Sequence, residues 1–199
     1  NRKLWEGVEV TAVEYDPRIA AVYQKLHPDD VVVVGDAHEY LLNHSQEYDF
    51  IWTSPPCQSH SMMIRSGKNR SPRYPDLRLY EEIIFLQHQF NGLYCVENVY
   101  PYYKPLIAAN TVGRHLIWSN FRVYDIKVPE PEGFINLTNM AGRAAMQEWL
   151  GIYFEEVIYL NNSHCPAQIL RNCVHPIVGL QIIEWAKAHK PEEQLDLLG

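Results

Sequence analysis

Cysteine is scarce in this chain. Its four cysteines, Cys57, Cys95, Cys165 and Cys173, form no Cys-x-x-Cys pair. Their spacing fits neither a zinc site nor the disulfide framework of a small secreted domain. A reducing, intracellular setting is the simpler expectation. No apolar run approaches the length of a membrane span, and nothing near Asn1 has the layout of a signal peptide. His60, His88, His164 and His175 show no His-x-x-x-His spacing, so no metal is expected. Internal repeats and low-complexity tracts are lacking. Positive charge is short as well: the net charge is −7, which weighs against the broad basic face of most nucleic-acid binders.

What is present is ordinary globular composition, 47% hydrophobic and 21% charged over 199 residues. That suits one medium-sized domain whose core stands without disulfides or metals. Charge is uneven along it. Arg65, Lys68, Arg70, Arg73 and Arg78 face a single acid, Asp76, within one stretch. A solvated loop is the plain reading of such a cluster.

Strand and helix patterns alternate through the first half. Val8–Val13 is a β-branched run that ends before Asp16-Pro17, a favourable helix start. Ile19, Val22, Tyr23 and Leu26 have helical spacing over 18–26. Val31–Val34 is a continuous apolar run, expected of a strand buried on both faces of a parallel sheet. A short helix follows over 37–43, then strands over 48–53 and 92–96 flanking a helix over 77–91, and a further strand over 112–118. The second half is less regular, with helices expected over 141–150 and 176–188 and a frayed tail after Pro191. Such alternation implies right-handed βαβ units and a doubly wound, mostly parallel α/β sheet. Ligands bind such sheets beyond the carboxyl ends of the strands. There the sequence places Glu14, Asp36, the Ser54–Gln58 loop and Glu97-Asn98.

Thr53-Ser54-Pro55-Pro56-Cys57-Gln58-Ser59 follows one of these strands. A cysteine just past a strand end is a candidate nucleophile, against the usual fate of a free cysteine as a small buried apolar residue. Two prolines stiffen the turn and fix where the sulfur points. Glu97 alone would be an unremarked acid at a strand end. Cys95 reads as core, and Tyr100, Tyr102 and Tyr103 as packing around the end of that strand. Asp36 is equally well placed to cap the following helix.

Pro56-Cys57-Gln58 followed by Glu97-Asn98-Val99 resembles the two most specific motifs of the cytosine-5 DNA methyltransferase family. Weaker likenesses fall in the family's order: Glu14-Tyr15-Asp16, Gly35-Asp36-Ala37, Gly113-Arg114-His115, Arg143–Gly151 and Asn172-Cys173-Val174. The resemblance implies a Rossmann-like class I methyltransferase fold with a minimal target-recognition insertion. Residues 1–118 would form the catalytic and donor-binding core, 119–138 the reduced recognition region, and 139–199 the segment completing the core. It implies S-adenosylmethionine as methyl donor, S-adenosylhomocysteine as product and double-stranded DNA as partner. The catalytic positions would be Cys57 as nucleophile, Glu97 as proton donor to the ring, and Arg114 or His115 on the pyrimidine oxygen or a phosphate. Donor contacts would come from Glu14, Tyr15, Asp36, Ala37, Pro56, Asn172, Cys173 and Val174. Gln58, Ser59, Arg65, Lys68, Arg70 and Asn98 would lie beside the substrate, with Asn98 also holding the Pro-Cys loop. In the family the segment after Pro-Cys-Gln closes over DNA, which gives the basic 59–78 stretch a role on phosphates. Its Ser66 and Gly67 would permit that movement.

The family's glycine-rich turn, expected before the ribose acid, is not found between Asn1 and Glu14 and is expected ahead of Asn1. Cys173 stands where serine is usual. The compact layout is similar to that of bacterial or bacteriophage members, which implies a cytoplasmic enzyme of DNA methylation or restriction-modification. Three alternatives stay open: the same chemistry on RNA, methylation of an exocyclic amine through Ser54-Pro55-Pro56, and an inactive nucleic-acid-binding relative.

Overall fold

The computed structural model describes residues 1–62, 74–130, 138–160 and 164–189. Arg65, Ser66, Gly67, Lys68, Arg70 and Arg73 of the basic stretch lie outside the described residues, as do 131–137 of the expected recognition region and the tail from 190.

The described residues form six strands and six α-helices, which alternate through the first half of the chain. They are β1 (Thr11–Glu14), α1 (Pro17–Leu26), β2 (Val31–Val34), α2 (Ala37–His44), β3 (Phe50–Thr53), α3 (Arg78–Gln89), β4 (Leu93–Val99), β5 (Asn110–Val112), β6 (His115–Ser119), α4 (Met140–Leu150), α5 (Gln168–Arg171) and α6 (Pro176–Ala188). The helix starts follow local chemistry. Asp16 and Asp36 cap α1 and α2 by accepting from the N–H groups of Arg18 and His38, and Asn139 caps α4 through Gly142. Each satisfies a donor that the helix leaves unpaired. Pro17 and Pro176 occupy first-turn positions where their missing N–H costs nothing.

β1 and β2 pair in parallel, Thr11 opposite Val31 through Glu14 opposite Val34. β3 and β4 pair in parallel, Phe50 opposite Leu93 through Thr53 opposite Val96. The second sheet continues antiparallel, in the order β3-β4-β6-β5. The chain is therefore mixed α/β with open sheets, and β1 to β4 all lie in parallel ladders.

Alternation along the strands covers the larger sheet on both faces. Ile51, Tyr94, Val96, Leu116 and Trp118 pack with Leu79, Ile83 and Leu86 of α3 and Leu41 of α2. Phe50, Trp52, Leu93, Cys95 and Ile117 pack with Val178, Ile182 and Ala186 of α6. Trp5 adds to the second face, its ring against Phe50 and Trp52 and its indole N–H donating to the Gly179 carbonyl. A third cluster joins Met146 and Leu150 of α4 to Leu170 of α5. Among the described residues no helix is long and apolar enough to cross a membrane.

Four expectations need correction. β1 begins at Thr11 rather than Val8 and takes in Glu14. β2 is not buried on both faces: Val31 and Val34 are 60% and 56% exposed, because this strand pairs only with β1. The single strand expected over 112–118 is a hairpin, β5 turning into β6 through Gly113 and Arg114. Gly113 sits at φ +56, a left-handed conformation that glycine adopts without penalty. β4 runs on to Val99, so Glu97 and Asn98 lie within the strand rather than past its end.

Candidate active site

Where β3 ends, Ser54, Pro55 and Pro56 carry the chain to Cys57. This loop, Glu97 and Asn98 of β4, His115 of β6, and Arg171-Asn172 at the end of α5 line one cavity of about 110 Å³. A cavity of about 150 Å³ accommodates benzene, so this space is on the scale of one six-membered ring.

Strand register explains the grouping on β4 and β6. Val99 is paired with His115, so Glu97, two residues back, is its diagonal neighbour on the same face. Glu97 Oε1 lies 3.4 Å from His115 Nε2. Both residues are buried. Burial pushes the Glu97 carboxyl up to about 7, against the lowering effects of a hydrogen bond from Ser54 and the charge of Arg114. Burial, and then the charge of Arg114, takes the His115 imidazole down to about 3. At neutral pH their contact thus joins a neutral imidazole and a carboxyl shared between its two protonation states, and is not an ion pair.

Asn98 points to the opposite face. Its Nδ2 donates 3.0 Å to the Pro55 carbonyl, and its Oδ1 accepts from the Val99 N–H. Both partners are fixed, so the amide holds the stem of the Cys57 turn. The Cys57 carbonyl accepts from the N–H groups of His60 and Ser61, closing a tight turn behind the thiol. Burial and the negative charge of Glu97 both push the Cys57 thiol up. Cys57 is therefore held as a thiol, by burial first and by the charge of Glu97 second.

Of the substrate positions, Gln58 lines the cavity. Ser59 does something else: its Oγ accepts from the Asp76 N–H at 3.0 Å, tying together the two ends of the basic stretch. His60 is buried, with Nδ1 hydrogen-bonded 2.6 Å from the Tyr103 hydroxyl. Arg114 turns away from the cavity. Its guanidinium donates to the carbonyls of Arg171 and Cys173 and approaches Glu130 at 3.8 Å. Of the Arg114-His115 pair, His115 is the one at the cavity wall.

The positions expected to hold the donor divide in two. Glu14 is the last residue of β1, and Asp36 follows the end of β2, whose Val34 is the ladder partner of Glu14. Glu14 uses Oε1 to accept from the Asp16 N–H, and Asp36 uses Oδ1 to cap α2 while Oδ2 lies 3.6 Å from Arg78. Each acid spends one oxygen on its own turn, and the second oxygen of Asp36 faces Arg78. Tyr15 is 78% exposed between them. Ala37 opens α2, and Pro56 lies on the exposed rim of the Cys57 cavity. Asn172 lines that cavity, Cys173 donates through Sγ to the Ile169 carbonyl, and Val174 belongs to the core beside α6.

Two residues of the site carry no individual role in the sequence, although Ser54 is part of the 54–58 loop placed there. Ser54 accepts from the Trp52 indole N–H at 3.1 Å and donates to Glu97. Arg171 lines the cavity beside Asn172. The position of Ser54 next to the Pro-Pro-Cys turn was a usable signal. Arg171 had only its adjacency to Asn172-Cys173-Val174. Among the described residues no group of three His, Cys, Asp or Glu side chains could hold a metal.

No protein-family model, curated protein or solved structure matches this chain. The functional reading rests on the residues themselves.

Proposed function

We propose that the chain is a Rossmann-like, S-adenosylmethionine-dependent methyltransferase acting on carbon 5 of cytosine in DNA. The observation that carries this reading is the sharing of one ring-sized cavity by Cys57 and a Glu97 whose carboxyl is poised near 7. A thiol and a half-protonated carboxyl facing one cavity suit addition to an electron-poor heterocycle.

In this mechanism the Cys57 thiol gives its proton to water as Sγ adds to carbon 6 of the pyrimidine. Protonated Glu97 donates to ring nitrogen 3 and absorbs the charge that builds there. Glu97 begins uncharged, so its repulsion of the Cys57 sulfur, the lesser of the two effects that raise the thiol, is absent when addition starts. Addition moves an electron pair to carbon 5. S-adenosylmethionine, when bound, supplies an electrophilic methyl group. Loss of the carbon 5 proton to water then expels the thiolate. Asn98 keeps the Pro55-Cys57 stem rigid throughout, and neutral His115 fixes the carboxyl of Glu97. Glu14, Tyr15 and Asp36 would hold the donor's nucleoside. A base in a duplex must leave the stack to reach this cavity, and the basic 59–78 stretch is suited to the phosphates that move with it.

DNA with 5-fluorocytosine in place of cytosine, incubated with the protein and S-adenosylmethionine, tests this on a denaturing gel. Fluorine cannot leave carbon 5 as a cation, so the adduct persists. A shifted band absent from Cys57→Ala is expected. A band with fluorinated RNA alone would move the substrate to RNA, and no band with either would overturn the reading.

A further inference from the structure

Glu82 is a carboxylate with no part in the chemistry above, yet it is 4% exposed in the first half of α3. Both of its oxygens are engaged. Oε2 accepts from Thr53 Oγ1 at 2.6 Å, and Oε1 is hydrogen-bonded to His38 Nδ1 at 3.1 Å. Thr53 is the last residue of β3, four before Cys57. His38 is the second residue of α2, whose cap is Asp36. One turn earlier on α3, Arg78 approaches Asp36 at 3.6 Å, and the Arg78 N–H donates to Asp76, whose own N–H is held by Ser59. The start of α3 therefore touches three places: the Asp36 turn, the stem of the Cys57 loop, and the root of the basic stretch. A carboxyl so placed is costly, since burial pushes it up further than its contacts with Thr53 and His38 pull it down. An apolar residue at this helix position would add to the core formed by Leu79, Ile83 and Leu86 but would join neither loop.

We propose that Glu82 is a positioning residue that couples the Asp36 turn to the Cys57 loop, so that occupancy of the first alters the second. The proposal rests on reading Asp36 as a donor contact and Cys57 as the nucleophile. A coupling of this kind is a ratio of rates or affinities between the two sites, and it is measurable without turnover.

The test uses the whole protein and S-adenosylhomocysteine. Binding is followed by calorimetry, and alkylation of Cys57 by iodoacetamide is followed by peptide mass spectrometry, with and without the ligand. In the native chain the bound ligand is expected to change the Cys57 rate by about fivefold or more. In Glu82→Ala and His38→Ala the factor collapses towards one. In Glu82→Gln it survives, because the amide oxygen still accepts from Thr53 and the amide N–H donates to His38. A residue that only stabilised the fold would shift the melting temperature of all three variants and leave the factor untouched. Thr53→Val replaces Glu82→Ala if that variant does not fold. Equal factors in native and variant proteins, or ligand binding without any effect on Cys57, would overturn the coupling while leaving the donor site intact. Failure of the native chain to bind S-adenosylhomocysteine would instead overturn the reading beneath it.

Discussion

Glu97 and His115 lie 3.4 Å apart across the β4–β6 ladder, and burial shifts them in opposite senses. Their effects on stability oppose each other. Glu97 is raised to about 7 in the folded chain from an ordinary 4.5. The folded state thus holds the extra proton between those values, and this contribution to stability is lost as pH rises from 4.5 to 7. His115 is lowered from 6.5 to about 3. The unfolded chain takes up that proton first, so its contribution is lost as pH falls from 6.5 towards 3. Between pH 4.5 and 6.5 the two slopes cancel.

Single substitutions expose each slope. Glu97→Gln leaves the histidine effect alone, and stability then rises from pH 4.5 to 6.5. His115→Asn leaves the carboxyl effect alone, and stability falls over 4.5 to 7 by on the order of 3 kcal/mol at most. Urea midpoints across this range read both. Parallel profiles for the two variants would show that the groups are not shifted as their burial requires.

Asn98 offers a different separation, between the nucleophile and the donor. Replacing it by alanine leaves the buried Pro55 carbonyl without its donor at 3.0 Å, at a cost of about 1–3 kcal/mol. The stem of the Cys57 turn loosens, while Glu14 and Asp36, held by their own turns, are untouched. Asn98→Ala should therefore slow trapping by 5-fluorocytosine at saturating donor and leave donor affinity unchanged. A matching loss of donor affinity would show that Asn98 supports more than the Cys57 stem.

Much of this arrangement was legible residue by residue. Runs such as Phe50–Thr53 and Ile177–Ala186 carry their own periodicity, and Asp16-Pro17 announces its helix. Cys57 and Glu97 could be paired only through the resemblance of their two motifs to one family, since neither residue alone announces the other. What escaped depends on distant partners. Val31–Val34 looks like a doubly buried strand, but its exposure is decided by whether a second strand pairs with it. The Gly113-Arg114 turn lacks the Asn-Gly or Asp-Gly signal of a two-residue hairpin. Arg171 enters the cavity only because α5 folds against the β5–β6 turn, whose Arg114 holds the Arg171 carbonyl. That same contact draws Arg114 away from the cavity and leaves His115 at its wall.

The last prediction sets reactivity against catalysis. Burial and the charge of Glu97 both raise the Cys57 thiol, and only the second is removed by Glu97→Gln. At about pH 8, near the ordinary thiol range, Glu97 is mostly ionised and its repulsion is fully present. The glutamine variant should therefore alkylate at Cys57 several-fold faster than the native protein, with the site identified by peptide mass spectrometry because Cys173 is also partly accessible. Its methyl transfer should fall by about 100-fold or more, since glutamine cannot donate the proton that ring nitrogen 3 requires. A more reactive nucleophile in a less active protein would place the role of Glu97 on the base rather than on the thiol. Slower alkylation in the variant would mean the opposite: that Glu97 activates Cys57 by accepting its proton, and that the ring is protonated by another group.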